Sequence, residues 1–149
     1  MISNHNIKSV ISYAKSEGLK IDFADFLRQA ENHPNYPDIL AISDTLSFYN
    51  IENGAIQVSA SEIDLLPDRF GTFLNKENNI SELYFVERQD NDYFYNTENK
   101  ACAISKSELE SRWTNLVLLV AKDSQIKKGE TNINAQKALM MIILFCLIL

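Results

Sequence analysis

Apolar residues recur three and four positions apart through the first fifty residues, and then two apart or in short unbroken runs. The first spacing belongs to helices and the second to strands. Ile7, Val10, Ile11 and Ala14 mark one helical face, and Gly18 is placed to end that helix. Asp22 can cap a second helix that carries Phe23, Phe26, Leu27 and Ala30 on one side. The two prolines of His33-Pro-Asn-Tyr-Pro37 force a turned or extended connection. A third helix follows, with Ile39, Leu40, Ile42, Leu46 and Tyr49 as its expected buried stripe.

Beyond it the pattern changes. Ala55–Val58 is a short β-prone run, and Ser59-Ala-Ser-Glu62 is a capping-box sequence for a short helix. Pro67 and Asp68 turn the chain ahead of Phe70-Gly-Thr-Phe-Leu74. Glu82–Val86 and Tyr93–Tyr95 read as a hairpin joined by Gln89-Asp-Asn-Asp92, and Thr97–Lys100 is a second turn into Ala101–Ile104. A second capping box, Ser105-Lys-Ser-Glu108, predicts a helix through Trp113, and Leu116–Val120 a fully buried closing strand. Helices first and an antiparallel sheet afterwards make an α+β domain over residues 1–121.

Residues 122–137 read as a polar linker, and residues 138–149 are twelve consecutive apolar residues. As a helix these twelve would span about 18 Å, short of a hydrocarbon core of roughly 30 Å. They are read as the start of a transmembrane helix, with Lys127, Lys128 and Lys137 as its cytoplasmic flank. A buried core helix or a free apolar end is the alternative. The net charge of −6 is uneven: residues 1–121 carry −8 and residues 122–149 carry +2. An acidic body without clustered Lys or Arg excludes nucleic acid as a partner. The first residues lack the apolar core of a signal peptide, which places the body in the cytoplasm.

Candidate chemistry is sparse. Cys102 and Cys146 are the two cysteines, so no disulfide framework is implied, and two histidines with no Cys/His cluster give no metal site. Cys102 sits in a β-prone run and reads as an inert cysteine rather than a nucleophile. His5 lies near the terminus, and His33 reads as a structural, hydrogen-bonding histidine. No G-x-S-x-G occurs, and four glycines in the whole chain rule out glycine-rich phosphate loops and the cofactors that need them. Asp64, Asp68, Asp90 and Asp92 are scattered and read as turn residues rather than an acid/base pair. Among the aromatics, Tyr84, Phe85, Tyr93, Phe94, Tyr95 and Trp113 read as core or sheet-face residues, a few of which could line a peptide groove.

Five segments taken together carry a resemblance. They are His33-Pro-Asn-Tyr-Pro-Asp-Ile-Leu-Ala-Ile-Ser-Asp44, Asn50–Ile56, Leu65-Leu-Pro67, Glu82-Leu-Tyr-Phe-Val86 and Ile104–Thr114 running on to Leu116–Val120. Over about residues 5–121 the chain resembles the papain-like double-glycine-leader peptidase domain, cysteine peptidase family 39. That domain opens bacteriocin-exporting ABC transporters, and the chain looks most like a version fused ahead of a vitamin K epoxide reductase-like membrane domain. The resemblance implies a papain-like fold on the cytoplasmic face of a bacterial inner membrane.

Active members of that family use a cysteine early in the first helix, a histidine opening a central strand and an Asp-Pro after the next strand. Those positions fall near Asn6 (Asn4 and His5 being its neighbours), at Glu82 and at Asn96, which Thr97 follows. The resemblance therefore implies a peptidase-like module without a catalytic triad. Such a module would dock an amphipathic leader-like peptide helix beside a downstream membrane domain, either an exporter or a thiol-redox protein. The alternative is an active cysteine peptidase cleaving double-glycine leaders with Cys102 as a displaced nucleophile.

Overall fold

A computed structural model of the chain describes residues 5–97 and 100–121. The linker and apolar segment expected at 122–137 and 138–149 lie outside the described residues. No helix among the described residues is long and apolar enough to cross a membrane.

Three helices come first: α1 (His5–Ser16), α2 (Phe23–Glu31) and α3 (Ile39–Phe48). Helix α1 ends as its sequence dictates. Gly18 takes φ +85°, and the Leu19 N–H folds back onto the Ala14 carbonyl at 2.9 Å. Asp22 caps α2, its carboxylate accepting from the Asp25 N–H at 2.9 Å. Helix α3 departs from the expected stripe. Ala41, Ile42 and Leu46 are buried, whereas Leu40 points outward. The turn at Asn35–Asp38 sets the phase of α3 so that Ala41, not Leu40, meets the core; the small Ala41 gave no hydrophobic signal of its own.

Six strands follow: β1 (Asn53–Gln57), β2 (Arg69–Asn75), β3 (Ser81–Gln89), β4 (Asp92–Asn96), β5 (Ala101–Ile104) and β6 (Trp113–Val120). They form one sheet in the order β1-β6-β2-β3-β4-β5, and every neighbouring pair is antiparallel. A 3-10 helix at Ala60–Leu65 and helix α4 (Lys106–Ser111) lie between strands. Both capping-box sequences start helices. The Glu62 carboxylate accepts from the Ser59 N–H and hydroxyl, and the Glu108 N–H donates to Ser105 Oγ. Helix α4 stops at Ser111, earlier than expected, and Trp113 opens β6. There its ring joins the core and its Nε1–H donates to the Val58 carbonyl at 2.7 Å, a buried bond that a helical Trp113 would forfeit.

The period-2 alternation of the strands divides the interior into two cores. Phe73, Leu83, Phe85, Leu118 and Val120 meet α1–α3 on one face, where they pack with Ile7, Val10, Phe26 and Leu46. Phe70, Leu74, Tyr84, Val86, Val117 and Leu119 meet the 3-10 helix and α4 on the other, with Ile63, Leu109 and Trp113. Each large apolar side chain so buried contributes about 1.5–3 kcal/mol. Gly71 lets β2 and β6 approach closely: a Cβ there would sit 3.3 Å from Leu118 Cβ.

Candidate functional site

Strand β3 is longer than β4. Their pairing runs from Gln89↔Asp92 to Val86↔Tyr95, so the beginning of β3 has no strand on its outer side. The first turn of α1 covers that free edge. The Asn6 side-chain oxygen accepts from the Leu83 backbone N–H at 2.9 Å, satisfying a buried donor that β4 does not reach. One residue earlier, His5 is buried rather than loose at a terminus. Its ring packs edge-on against Tyr84 at 4.7 Å, and Ser9 Oγ lies 3.5 Å from its Nε2. The start of α1 thus straddles the edge of β3.

Glu82 and Tyr84, two apart on β3, share a face. The Glu82 carboxylate receives the Lys76 ammonium at 2.5 Å and the Tyr84 hydroxyl at 3.1 Å. Burial works against its charge, yet Lys76, Tyr84 and His5 together hold it below the usual carboxylate range. The hydrogen bond to Glu82 raises Lys76 in turn, and burial followed by the Glu82 charge raises Tyr84. Above Tyr84, the Arg112 guanidinium lies 5.7 Å from its ring centroid and 5.4 Å from that of Tyr95, and Arg112 Nε–H donates to the Asn75 carbonyl at 3.0 Å. Glu82 is therefore ionised at neutral pH, engaged by two donors and weakened as a proton acceptor.

Among the positions singled out in the sequence, the structure sets Asn6 against the residue that follows Glu82. Asn96 is the last residue of β4, opposite Ala101, and among the described residues no hydrogen bond joins its side chain to Asn6 or Glu82. Cys102 is half-buried in β5 opposite Tyr95. Among the described residues there is no cluster of metal-ligating side chains. Asp64 and Asp68 do more than solvate turns. Asp64 accepts from Tyr93 Oη at 2.8 Å and from Lys106, and Asp68 pairs with Arg88 at 2.9 Å, which fastens the 3-10 helix to β3, β4 and α4.

Lys76 and Arg112 escaped the sequence reading because they join the Glu82 cluster from separate elements, and Tyr95, read only as a core or sheet-face aromatic, joins it from a third. The one local signal was the i, i+2 spacing of Glu82 and Tyr84, which puts both on one strand face. Between the β2–β3 turn and α4 lies a shallow polar depression of ~730 Å³. Lys76 and Arg112 line it against Glu77 and Glu108, so it favours neither sign of charge.

No protein-family model matches the chain, and no curated protein sequence does. Solved structures do share its fold. One is the peptidase domain of Streptococcus ComA, a bi-functional ABC transporter involved in a quorum sensing pathway; it is 19% identical with a TM-score of 0.65 and covers 83% of this chain and 96% of its own. Another is a double glycine motif protease from an AMS/PCAT transporter in complex with the leader peptide, 11% identical with a TM-score of 0.59, covering 80% and 86%. The peptidase domain of Streptococcus mutans ComA, in complex with a small-molecule inhibitor, is 17% identical with a TM-score of 0.56, covering 81% and 95%. The helices-plus-antiparallel-sheet fold of this chain is that of these peptidase domains.

Proposed function

We propose that the chain is a non-catalytic, peptidase-fold module that docks an amphipathic peptide beside membrane machinery. The observation that carries this is the adjoining pair Asn6 and Glu82, both already committed to hydrogen bonds, with no thiol between them. A cysteine nucleophile needs a thiolate beside an imidazole, and an anionic carboxylate disfavours a thiolate instead of pairing with it. Residues 122–137 serve in this proposal as a linker. The apolar run at 138–149 serves in it as a membrane anchor at the cytoplasmic face of a bacterial inner membrane, the partner machinery being an exporter or a thiol-redox protein.

Support for docking comes from α3. Leu40 is 55% exposed and Phe48 63% exposed, eight residues apart on the same outward face. The Phe48 ring is held edge-on to Tyr49 at 5.3 Å, and exposed Asp38 and Asp44 lie along the same helix. Two fixed apolar anchors with acidic neighbours suit a helical peptide that carries apolar residues about two turns apart and basic residues beside them. A leader peptide is the ligand in the AMS/PCAT protease structure.

Calorimetric titration of the full chain with double-glycine leader peptides, with mass spectrometry of the mixture, tests both halves. Saturable binding is expected, weakened roughly tenfold by Leu40→Ser with Phe48→Ser, with the peptide left intact. Absence of binding would sink the docking role. Cleavage that disappears in Cys102→Ala would establish the active-peptidase alternative.

A further inference from the structure

The loop between α2 and α3 places His33 between two partners of fixed polarity. Its Nδ1 lies 3.1 Å from the Asn35 backbone nitrogen, and its Nε2 lies 3.0 Å from Asp44 Oδ2 on α3. An amide N–H can only donate, so Nδ1 must offer a lone pair. A carboxylate can only accept, so Nε2 must carry the hydrogen. Both contacts are satisfied together by one species, the neutral ring protonated at Nε2.

A second proton would set N–H against N–H at Nδ1 and break the bond to Asn35, while Asp44 would still accept from Nε2. Both contacts are solvent-exposed, and the added proton breaks one while keeping the other. Two further backbone bonds frame the same turn, from Tyr36 N–H to the His33 carbonyl at 3.0 Å and from Asp38 N–H to the Asn35 carbonyl at 2.8 Å. The charged groups around the loop are acidic: Asp44 on α3, Asp38 at its N-terminus, and Glu31 at the end of α2, which with burial raises the Tyr36 phenol.

We infer that His33 is a proton-operated latch on the α2–α3 loop: neutral, it pins Asn35 and bonds Asp44; protonated, it releases Asn35 and cancels the Asp44 charge. Imidazole is the side chain whose charge changes between about pH 5 and 8. Asp44 lies between Leu40 and Phe48 on the outward face of α3, so acid loosens the turn into that helix and removes an acidic group from its exposed strip. That second consequence rests on the docking proposal. The latch itself does not.

Nitrogen-15 NMR of the full chain separates the two. At the alkaline end of the titration the neutral ring is expected in the Nε2–H form, the tautomer its two contacts require. On acidification the Asn35 amide proton moves upfield with the same midpoint as the ring. His33→Asn puts an acceptor oxygen in place of Nδ1 and makes the Asn35 amide insensitive to pH. His33→Gln retains a donor toward Asp44 alone and leaves that amide upfield at both ends of the titration. An Nδ1–H ring at high pH, or an Asn35 amide that ignores His33 in the parent chain, overturns the latch. Loss of peptide binding with the NMR pattern intact overturns docking instead.

Discussion

The Asn6 side chain accepts the Leu83 N–H across 77 positions of sequence, at 2.9 Å and out of contact with water. It does for the beginning of β3 what a longer β4 would otherwise do. Asn6→Ala leaves a buried backbone donor without a partner, so it should lower the unfolding free energy by about 1–3 kcal/mol in urea titrations. A loss within a few tenths of that of an exposed alanine substitution on α1, such as Lys15→Ala, would mean that the bond contributes nothing net.

The same adjacency allows the proposed loss of chemistry to be tested by restoring it. A cysteine at position 6 with a histidine at position 82 would place a thiol beside an imidazole, which lowers thiol pKa values. In Asn6→Cys/Glu82→His, iodoacetamide should alkylate the new cysteine at pH 7 roughly tenfold faster than in Asn6→Cys alone. Cys102→Ser and Cys146→Ser in both backgrounds remove the two competing thiols. Equal rates would show that the two positions do not face one another.

Glu82 sets an acid limit on stability. Burial raises its pKa, but Lys76, Tyr84 and His5 more than reverse this, and the folded value lies below the unfolded one. A lowered carboxylate stabilises the fold above its unfolded pKa, near 4.3, and that contribution disappears as pH falls through the folded value. Glu82→Gln should therefore flatten the fall in urea stability below about pH 4.5 and cost about 1 kcal/mol at pH 7, since the partly exposed Lys76 is screened by solvent. An unchanged acid slope would remove Glu82 from the linkage.

Tyr13 sets the alkaline limit. Its hydroxyl donates to the Arg69 carbonyl at 3.0 Å and accepts from the Val120 N–H at 3.1 Å, and its ring stacks on Phe85. Burial pushes the phenol far above its usual range, and the Val120 N–H offsets this only in part. A raised phenol stabilises the fold below its unfolded pKa of about 10 and loses that contribution as pH climbs toward the folded value. Tyrosinate absorbance should thus show one of the six tyrosines ionising only together with unfolding. Tyr13→Phe should remove that step and cost about 1–3 kcal/mol at pH 7 through the unpaired Val120 N–H.

These relationships divide what the chain discloses locally from what it does not. Gly18, Asp22, Ser59 and Ser105 mark helix ends because capping is settled within four residues, and each helix begins or ends where those residues place it. The β3–β4 hairpin was equally legible, since Asp90 takes the positive φ that its turn requires. Trp113 was not, because its place in β6 depends on a carbonyl 55 positions away. The Glu82 cluster gathers Lys76 from the β2–β3 turn, Tyr95 from β4 and Arg112 from the end of α4, and the strand order that brings them together leaves no local trace.

Strand β6 is the last strand among the described residues, and it lies inside the sheet between β1 and β2. Strand β1, made early, has β6 as its strand partner. During synthesis the helices and the β2–β5 meander can collapse as they emerge, but β1 waits with its hydrogen bonds open to solvent and β2 presents a bare flank. Both are closed in one event when Trp113–Val120 arrives. Birth order thus makes the closing strand a checkpoint: any chain interrupted before it carries two unpaired edges, open to pairing with other chains.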